Sequence, residues 1–272
     1  MSNMENMLNN QIALVAGATS GMGEAVARLY AQEGATVIIG GRNEKKGTKL
    51  AEAITEAGGS ARYYGSMDLT KQADIDMVVD KTLEEFGRID ILAVFAGQTF
   101  DGAGLSPEET YRKTMTVNMD GTHNLVFKVV PHMKERKSGK IILCSSNGAF
   151  NPTTPAYAYH MAKAACESLT VNLAMECAPL GIRVNCIKPG PIVTPFWDEL
   201  DPDGTKREAL FAGIAGTEVP LGRMGTPEDI AGPALFFASE LSAYITGLCL
   251  YVGGGMGYVY AHGQSFILKN LQ

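Results

Sequence analysis

No stretch of this 272-residue chain approaches the roughly 18 to 20 consecutive apolar residues that a bilayer-crossing helix needs. The opening MSNMENMLNN has neither a basic start nor an apolar stretch, so a secretory signal is not expected and the cytoplasm is the expected compartment. Cysteine is sparse and unpatterned. Cys144, Cys166, Cys177, Cys186 and Cys249 are odd in number and show no C-x-x-C spacing, and four lie in apolar runs. They are expected to be reduced, structural thiols. The four histidines, His123, His132, His160 and His262, fall in no zinc spacing such as H-E-x-x-H, so no metal is expected. A net charge of −6 argues against a broad nucleic-acid or anionic-membrane footprint. No G-x-S-x-G surrounds Ser145 or Ser146, which removes the usual nucleophile elbow of a serine hydrolase.

What the chain has is glycine, 31 of them and many clustered, together with a regular alternation of patterns. IALVA (12–16), ATVIIG (35–40), RYYGSMD (62–68), IDILAVFAG (89–97), GKIILCSS (139–146), IRVNCI (182–187) and LCLYVGG (248–254) read as strands. Between them, 23–34, 43–59, 74–87, a long region 106–137, 157–178 and 226–240 read as helices. Seven strands alternating with helical segments predict a doubly wound, mostly parallel α/β sheet with helices on both faces. Strands apolar on both sides, such as IILC and ILAVF, fit that burial. No composition break marks a linker, so a single domain is expected over 1–272. Residues 1–10 form an extension to it, 190–220 a lid without clear periodicity, and 256–272 a tail.

VAGATSGMGEAV sets Gly17, Ser20, Gly21, Met22 and Gly23 between the first strand and the first helix. Side-chain-free positions at a helix start let backbone amides approach a pyrophosphate. No G-K-S/T follows, so this is not a nucleoside-triphosphate loop. A ribose would reach the end of the second strand, where NAD sites usually present a carboxylate. Here the strand ends Gly40-Gly41-Arg42 with no acid before Glu44. A guanidinium there pairs with a 2′-phosphate, which favours NADP over NAD; stacking on adenine or plain solvation are the alternatives for Arg42. Asp68 is a candidate for the adenine edge, or else caps the helix beginning near Thr70.

In AYAYHMAKAAC, Tyr159 and Lys163 stand four apart and so share a helix face. A cation beside a phenol favours phenolate and lowers its pKa, turning Tyr159 into a proton donor and acceptor near neutral pH. Tyr157 is six positions from Lys163 and on the wrong side, and His160 reads as a bystander. Ser146 ends a strand at the edge where parallel sheets bind ligands, and its hydroxyl can hold a carbonyl or alkoxide oxygen. Ser145 is the alternative, facing the opposite way.

Gly17-x-x-x-Gly21-x-Gly23, Asp68, Asn118 in TVNMDG, Ser146, Tyr159-x-x-x-Lys163 and Pro189-Gly190-x-x-x-Thr194 together resemble the short-chain dehydrogenase/reductase family, in its single-domain NAD(P)-dependent branch. The resemblance covers about residues 11 to 255 and implies a Rossmann-like fold with a catalytic set of Asn118, Ser146, Tyr159 and Lys163. It implies Tyr159 as acid/base and Ser146 as orienter of the substrate oxygen. Lys163 would tune the phenol and hold the nicotinamide ribose, and Asn118 would anchor a relay water. The glycine loop, Arg42, Asp68, Ala96, Gly97, Pro189, Gly190, Ile192 and Thr194 would line the cofactor, which carries the hydride. Two departures stand out: Val94-Phe95-Ala96-Gly97 replaces the family's usual Asn-Asn-Ala-Gly, and Ala16 precedes Gly17 where threonine is common.

The expected activity is oxidation of a secondary alcohol or reduction of a ketone. Phe150, Phe196 and the single tryptophan, Trp197, suggest walls for a bulky apolar substrate such as a hydroxysteroid, with a 3-oxoacyl thioester or small cyclic ketone as alternatives. Those aromatics packing lid against core is the competing reading. A nucleotide-binding sensor or scaffold without turnover is the alternative class. A sugar-nucleotide epimerase is disfavoured by the glycine spacing. Relatives imply a homotetramer, and Tyr258, Tyr260 and Phe266 of the tail suggest burial against a neighbour.

Overall fold

The structure is a computed structural model that describes residues 6–257 apart from 101–102, 153–155, 200 and 202–203. The tail aromatics fall outside the described residues.

Seven parallel strands, β1 (Ile12–Ala16), β2 (Thr36–Gly40), β3 (Ser60–Arg62), β4 (Ile91–Val94), β5 (Gly139–Cys144), β6 (Ile182–Pro189) and β7 (Cys249–Val252), form one sheet in the order β3-β2-β1-β4-β5-β6-β7. Every pairing is parallel, so the expected "mostly parallel" sheet is wholly so. Among the described residues eight α-helices connect and cover it: α1 (Gly21–Gln32), α2 (Glu44–Glu56), α3 (Gln72–Phe86), α4 (Pro107–Met115), α5 (Gly121–Arg136), α6 (Tyr157–Cys177), α7 (Arg207–Thr217) and α8 (Pro227–Ala238). None is long and apolar enough to cross a membrane among the described residues.

Alternation along β1 shows why both faces need cover. Ala13 and Val15 enter the core shared with Val26 and Tyr30 of α1 and Phe237 of α8. Leu14 and Ala16 enter the opposite core, with Val78 of α3, Val129 of α5 and Leu173 of α6. The strand order reverses between β1 and β4, which opens a crevice beyond their carboxyl ends.

Four local expectations are corrected. The third strand lies at Ser60–Arg62, earlier than 62–68, because Gly65 takes φ +129° and breaks the extended run. The fourth is Ile91–Val94 within the expected 89–97, since the Asp90 carboxylate accepts the Ile12 amide at the strand's start. Region 106–137 is not one helix: α4 passes through a π-helical segment, Thr116–Asp120, into α5. The expected lid contains a helix, α7, that periodicity did not reveal. The N-terminal extension is tied down in part, for Leu8 is fully buried and its amide donates to the Glu33 carbonyl at 2.9 Å.

Gly17 follows β1 with φ +83°, and a Cβ there would stand 2.5 Å from the Ala96 amide nitrogen. Gly17→Ala is therefore expected to destabilise the protein by about 2 kcal/mol or more. A denaturant midpoint that stays at the wild-type value would contradict this account of the turn.

Candidate active site

The glycine loop is shaped by close approach. A Cβ on Gly23 would lie 2.3 Å from the Gly17 carbonyl oxygen, and one on Gly21 would press on Thr194 at 3.2 Å. Ser20, extended ahead of α1, makes no side-chain cap. The first amides of the helix are thus left facing the cleft, with the positive end of the dipole behind them. This is a cradle that only glycine leaves open, and its chemistry fits a pyrophosphate. At the far end the Arg42 guanidinium donates to Gln98 Oε1 at 3.1 Å. Asp68 accepts from the Thr70 amide and hydroxyl at 3.0 and 2.8 Å, so it caps a turn while also lining the cleft. Burial works against its charge, but the Thr70 hydrogen bonds and the nearby Arg42 and Lys71 outweigh it and hold the carboxyl below its ordinary range.

One continuous cleft of about 780 Å³ runs from Arg42 and Asp68 past the loop to Trp197. Sixteen of the residues singled out for the tetrad, the cofactor and the lid line it with these two; Asn118 and Phe150 do not. Asn118 is fully buried behind the wall, within the π-helical segment. Its side chain accepts from the Gln98 amide at 3.2 Å and donates to the Gln98 and Thr114 carbonyls at 2.6 and 2.8 Å. A Cβ at Gly97 would stand 2.9 Å from both Asn118 Oδ1 and Lys163 Nζ, so glycine is what lets these two converge.

Lys163 is 3% exposed and donates from Nζ to the Cys144 carbonyl at 3.0 Å. Nζ lies 5.6 Å from the Tyr159 ring centroid. Ser146 lines the same space as Tyr159, and its hydroxyl accepts from the Gly148 amide at 3.2 Å. Ser145 turns away, to the Lys163 carbonyl and Glu167. Tyr157 is half exposed, away from the lysine.

Electrostatics modify the simple expectation of an acidified phenol. Burial pushes the Tyr159 pKa up, Lys163 and the nearby Ser146 hydroxyl pull it down, and burial wins in the cleft as it stands. Burial also opposes the Lys163 charge, but attraction to Tyr159 and the neighbouring cysteines as these ionise outweighs it, and the net shift is upward. The pair is therefore a neutral phenol beside a fixed ammonium. Such an arrangement can donate a proton to an oxygen held by a hydroxyl, and take it back.

The lid closes the other wall. The Trp197 indole donates to the Ile192 carbonyl at 2.7 Å, and the Phe196 and Tyr159 rings are 5.5 Å apart. Phe150 is corrected: its ring covers the Lys188 ammonium at 4.5 Å and meets the Tyr251 edge, away from the cleft. His160, read as a bystander, lines the cleft and packs on Gly148. Leu210, Ile214 and Glu218, on or just after α7, also line it. The unrecognised helix hid those three, and the tight Gly148 contact has no signature in sequence.

Phe95 fills the core at 7% exposure where the resembling family carries asparagine. Its amide still donates to the Ala16 carbonyl, continuing the β4 ladder past the glycine loop.

A phosphate cradle at the reversal of a parallel sheet, beside a phenol, ammonium and hydroxyl, defines a nucleotide-dependent α/β oxidoreductase of alcohols and carbonyls. The family described as enoyl-(acyl carrier protein) reductase matches residues 17–257. A 3-oxoacyl-(acyl-carrier-protein) reductase of Chlamydia muridarum is 37% identical over 93% of this chain and all of its own length. Dehydrogenase/reductase SDR family member 4 of Sus scrofa is 34% identical over 91% of this chain and 88% of its own. A gluconate 5-dehydrogenase of Burkholderia cenocepacia, solved with NADP and tartrate, superposes with a TM-score of 0.84. It is 30% identical over 94% of this chain and 98% of its own. The chain belongs to the short-chain dehydrogenase/reductase family and is an NAD(P)-dependent dehydrogenase or reductase.

Because Lys163 pulls the phenol pKa downward against burial, Lys163→Met is expected to raise it further, by about one unit or more. Carbon-13 NMR of labelled tyrosine, with Tyr159 assigned through Tyr159→Phe, measures this; an unchanged or lower value would refute the assigned polarity.

Proposed function

We propose that the protein reduces 3-oxoacyl thioesters to 3-hydroxyacyl thioesters with NADPH, as a cytoplasmic homotetramer. The observation that carries the reading is the Phe196 ring set 5.5 Å from the Tyr159 ring, opening an apolar wall through Trp197, Leu210 and Ile214. Such a wall suits an acyl chain whose 3-oxo group meets the phenol. The Chlamydia muridarum relative, by its name, reduces a 3-oxoacyl group on a carrier protein. That support, and the withdrawal of Phe150 from the cleft, favour the thioester over the hydroxysteroid expected from the lid aromatics.

In this reading Ser146 holds the substrate carbonyl oxygen and Tyr159 donates the phenolic proton to it. Lys163 stabilises the phenolate left behind, and Asn118 anchors the water that returns a proton toward Lys163. The bound nicotinamide supplies the hydride. The glycine loop, Asp68, Ala96, Gly97, Pro189, Gly190, Ile192 and Thr194 would hold the dinucleotide, and Arg42 would meet its 2′-phosphate. NAD is the alternative if Arg42 serves only as the partner of Gln98. The oligomer is supported by exposed apolar side chains on α5 and α6, among them Phe127, Met161, Val171 and Met175, the last 74% exposed.

Tyr159→Phe is expected to lower turnover about a thousandfold while cofactor binding persists. In wild type, reduction needs the protonated phenol and slows as pH rises through its pKa; alcohol oxidation needs phenolate and speeds up over the same range. Pre-steady-state and steady-state absorbance assays at varied pH read both. Wild-type turnover in Tyr159→Phe would defeat the assignment, and cofactor binding without turnover on any thioester or ketone would favour a sensor. Arg42→Ala is expected to raise KM for NADPH about tenfold and leave NADH unaffected; a tenfold wild-type preference for NADH would reverse the cofactor choice.

A further inference from the structure

The tetrad does not use Glu167 and Lys188, two charged residues packed behind it. Lys188 is 8% exposed, stands at the end of β6 just before Pro189-Gly190, and is roofed by the Phe150 ring. Its ammonium is 3.4 Å from Glu167 Oε2. Glu167 lies one turn beyond Lys163 on α6. Its other oxygen accepts from the Ser145 hydroxyl at 2.8 Å, and the same hydroxyl is 3.0 Å from the Lys163 carbonyl. A hydroxyl has one proton, and the shorter contact to a charged acceptor takes most of it.

A partly buried ion pair is a weak source of stability, because desolvating the charges offsets their attraction. Geometry gives this one a clearer role. One carboxylate joins the end of β5 through Ser145, the helix that carries Tyr159 and Lys163, and the end of β6 through Lys188. Ser145 and Ser146 are adjacent on an extended backbone and face opposite ways, so whatever fixes one aims the other.

We propose that Glu167 is a positioning residue: by holding Ser145 it aims the Ser146 hydroxyl at the oxygen shared with Tyr159, and Lys188 holds Glu167 in place. The proposal rests on the reading of Ser146 and Tyr159 as the proton-handling pair. A misplacement of about 1 Å in such a pair costs up to about a hundredfold in rate.

The test avoids stranding a buried charge by changing both partners together. Glu167→Ala with Lys188→Met removes the acceptor for Ser145, as Ser145→Ala removes the donor. Each is expected to lower kcat about ten- to hundredfold, with the dissociation constant for NADPH within about twofold of wild type. Glu167→Gln with Lys188→Met keeps an uncharged acceptor for Ser145 and is expected to return kcat to within about threefold of wild type. Thermal midpoints are measured alongside. Wild-type kcat in the Glu167→Ala double variant or in Ser145→Ala overturns the proposal. So does an equal loss in the Gln and Ala double variants, or a kcat that merely follows the thermal midpoint across all three. Tyr159→Phe is the control: if it turns over normally, the proton-handling reading fails, whereas an inactive Tyr159→Phe beside a fully active Glu167→Ala double variant rejects only the role of Glu167.

Discussion

The Lys163 ammonium, buried at the carboxyl edge of the sheet, is the constraint around which the site is arranged. Lys163 is almost wholly removed from water, so the protein must solvate it. The Cys144 carbonyl at the end of β5 accepts from it, and the Tyr159 face lies alongside. Position 97 has to be side-chain-free, because any Cβ would stand against Lys163 and Asn118 together. The π-helical segment between α4 and α5 follows from the same demand, since it brings Asn118 inward at full burial. Such single-turn widenings inside helices are often found at functional sites.

The sheet topology supplies the other half of the arrangement. The reversal of strand order between β1 and β4 opens a crevice at their carboxyl ends. On one side of it the amides opening α1 point outward unprovided with a side-chain cap, and on the other the end of β5 delivers Ser146 toward Tyr159. The two cores above and below the sheet fix these edges independently, one through α1 and α8, the other through α3, α5 and α6. The cleft is thus a by-product of how the layers stack, and the lid from Ile192 onward completes it.

Local chemistry was readable in the chain, and long-range packing was not. The glycine loop and the Tyr159/Lys163 spacing are short-range signals, so they led to residues that meet in one cleft. Phe150 misled because an aromatic close after Ser146 gave no hint that Lys188, far along the chain, would take its face. α7 was invisible for a physical reason: none of its residues is buried in the core, so it carries no strong apolar stripe, and its inward side faces the cleft instead. The π-helical segment keeps a helix-like pattern and cannot be told from regular helix by periodicity. Spacing gives the downward pull of Lys163 on the phenol but not the burial that opposes it, which exists only once the fold has closed around the pair.

The indole of Trp197 is the chain's single tryptophan and sits where the lid meets the reaction space, bound to the Ile192 carbonyl and 5.3 Å from the Phe211 ring centroid. Excitation near the red edge of protein absorption therefore addresses one chromophore, in one place. Emission wavelength and quenching report the polarity of that wall without any attached dye, and energy passing to a reduced nicotinamide makes occupancy of the same cleft an optical signal intrinsic to the polypeptide.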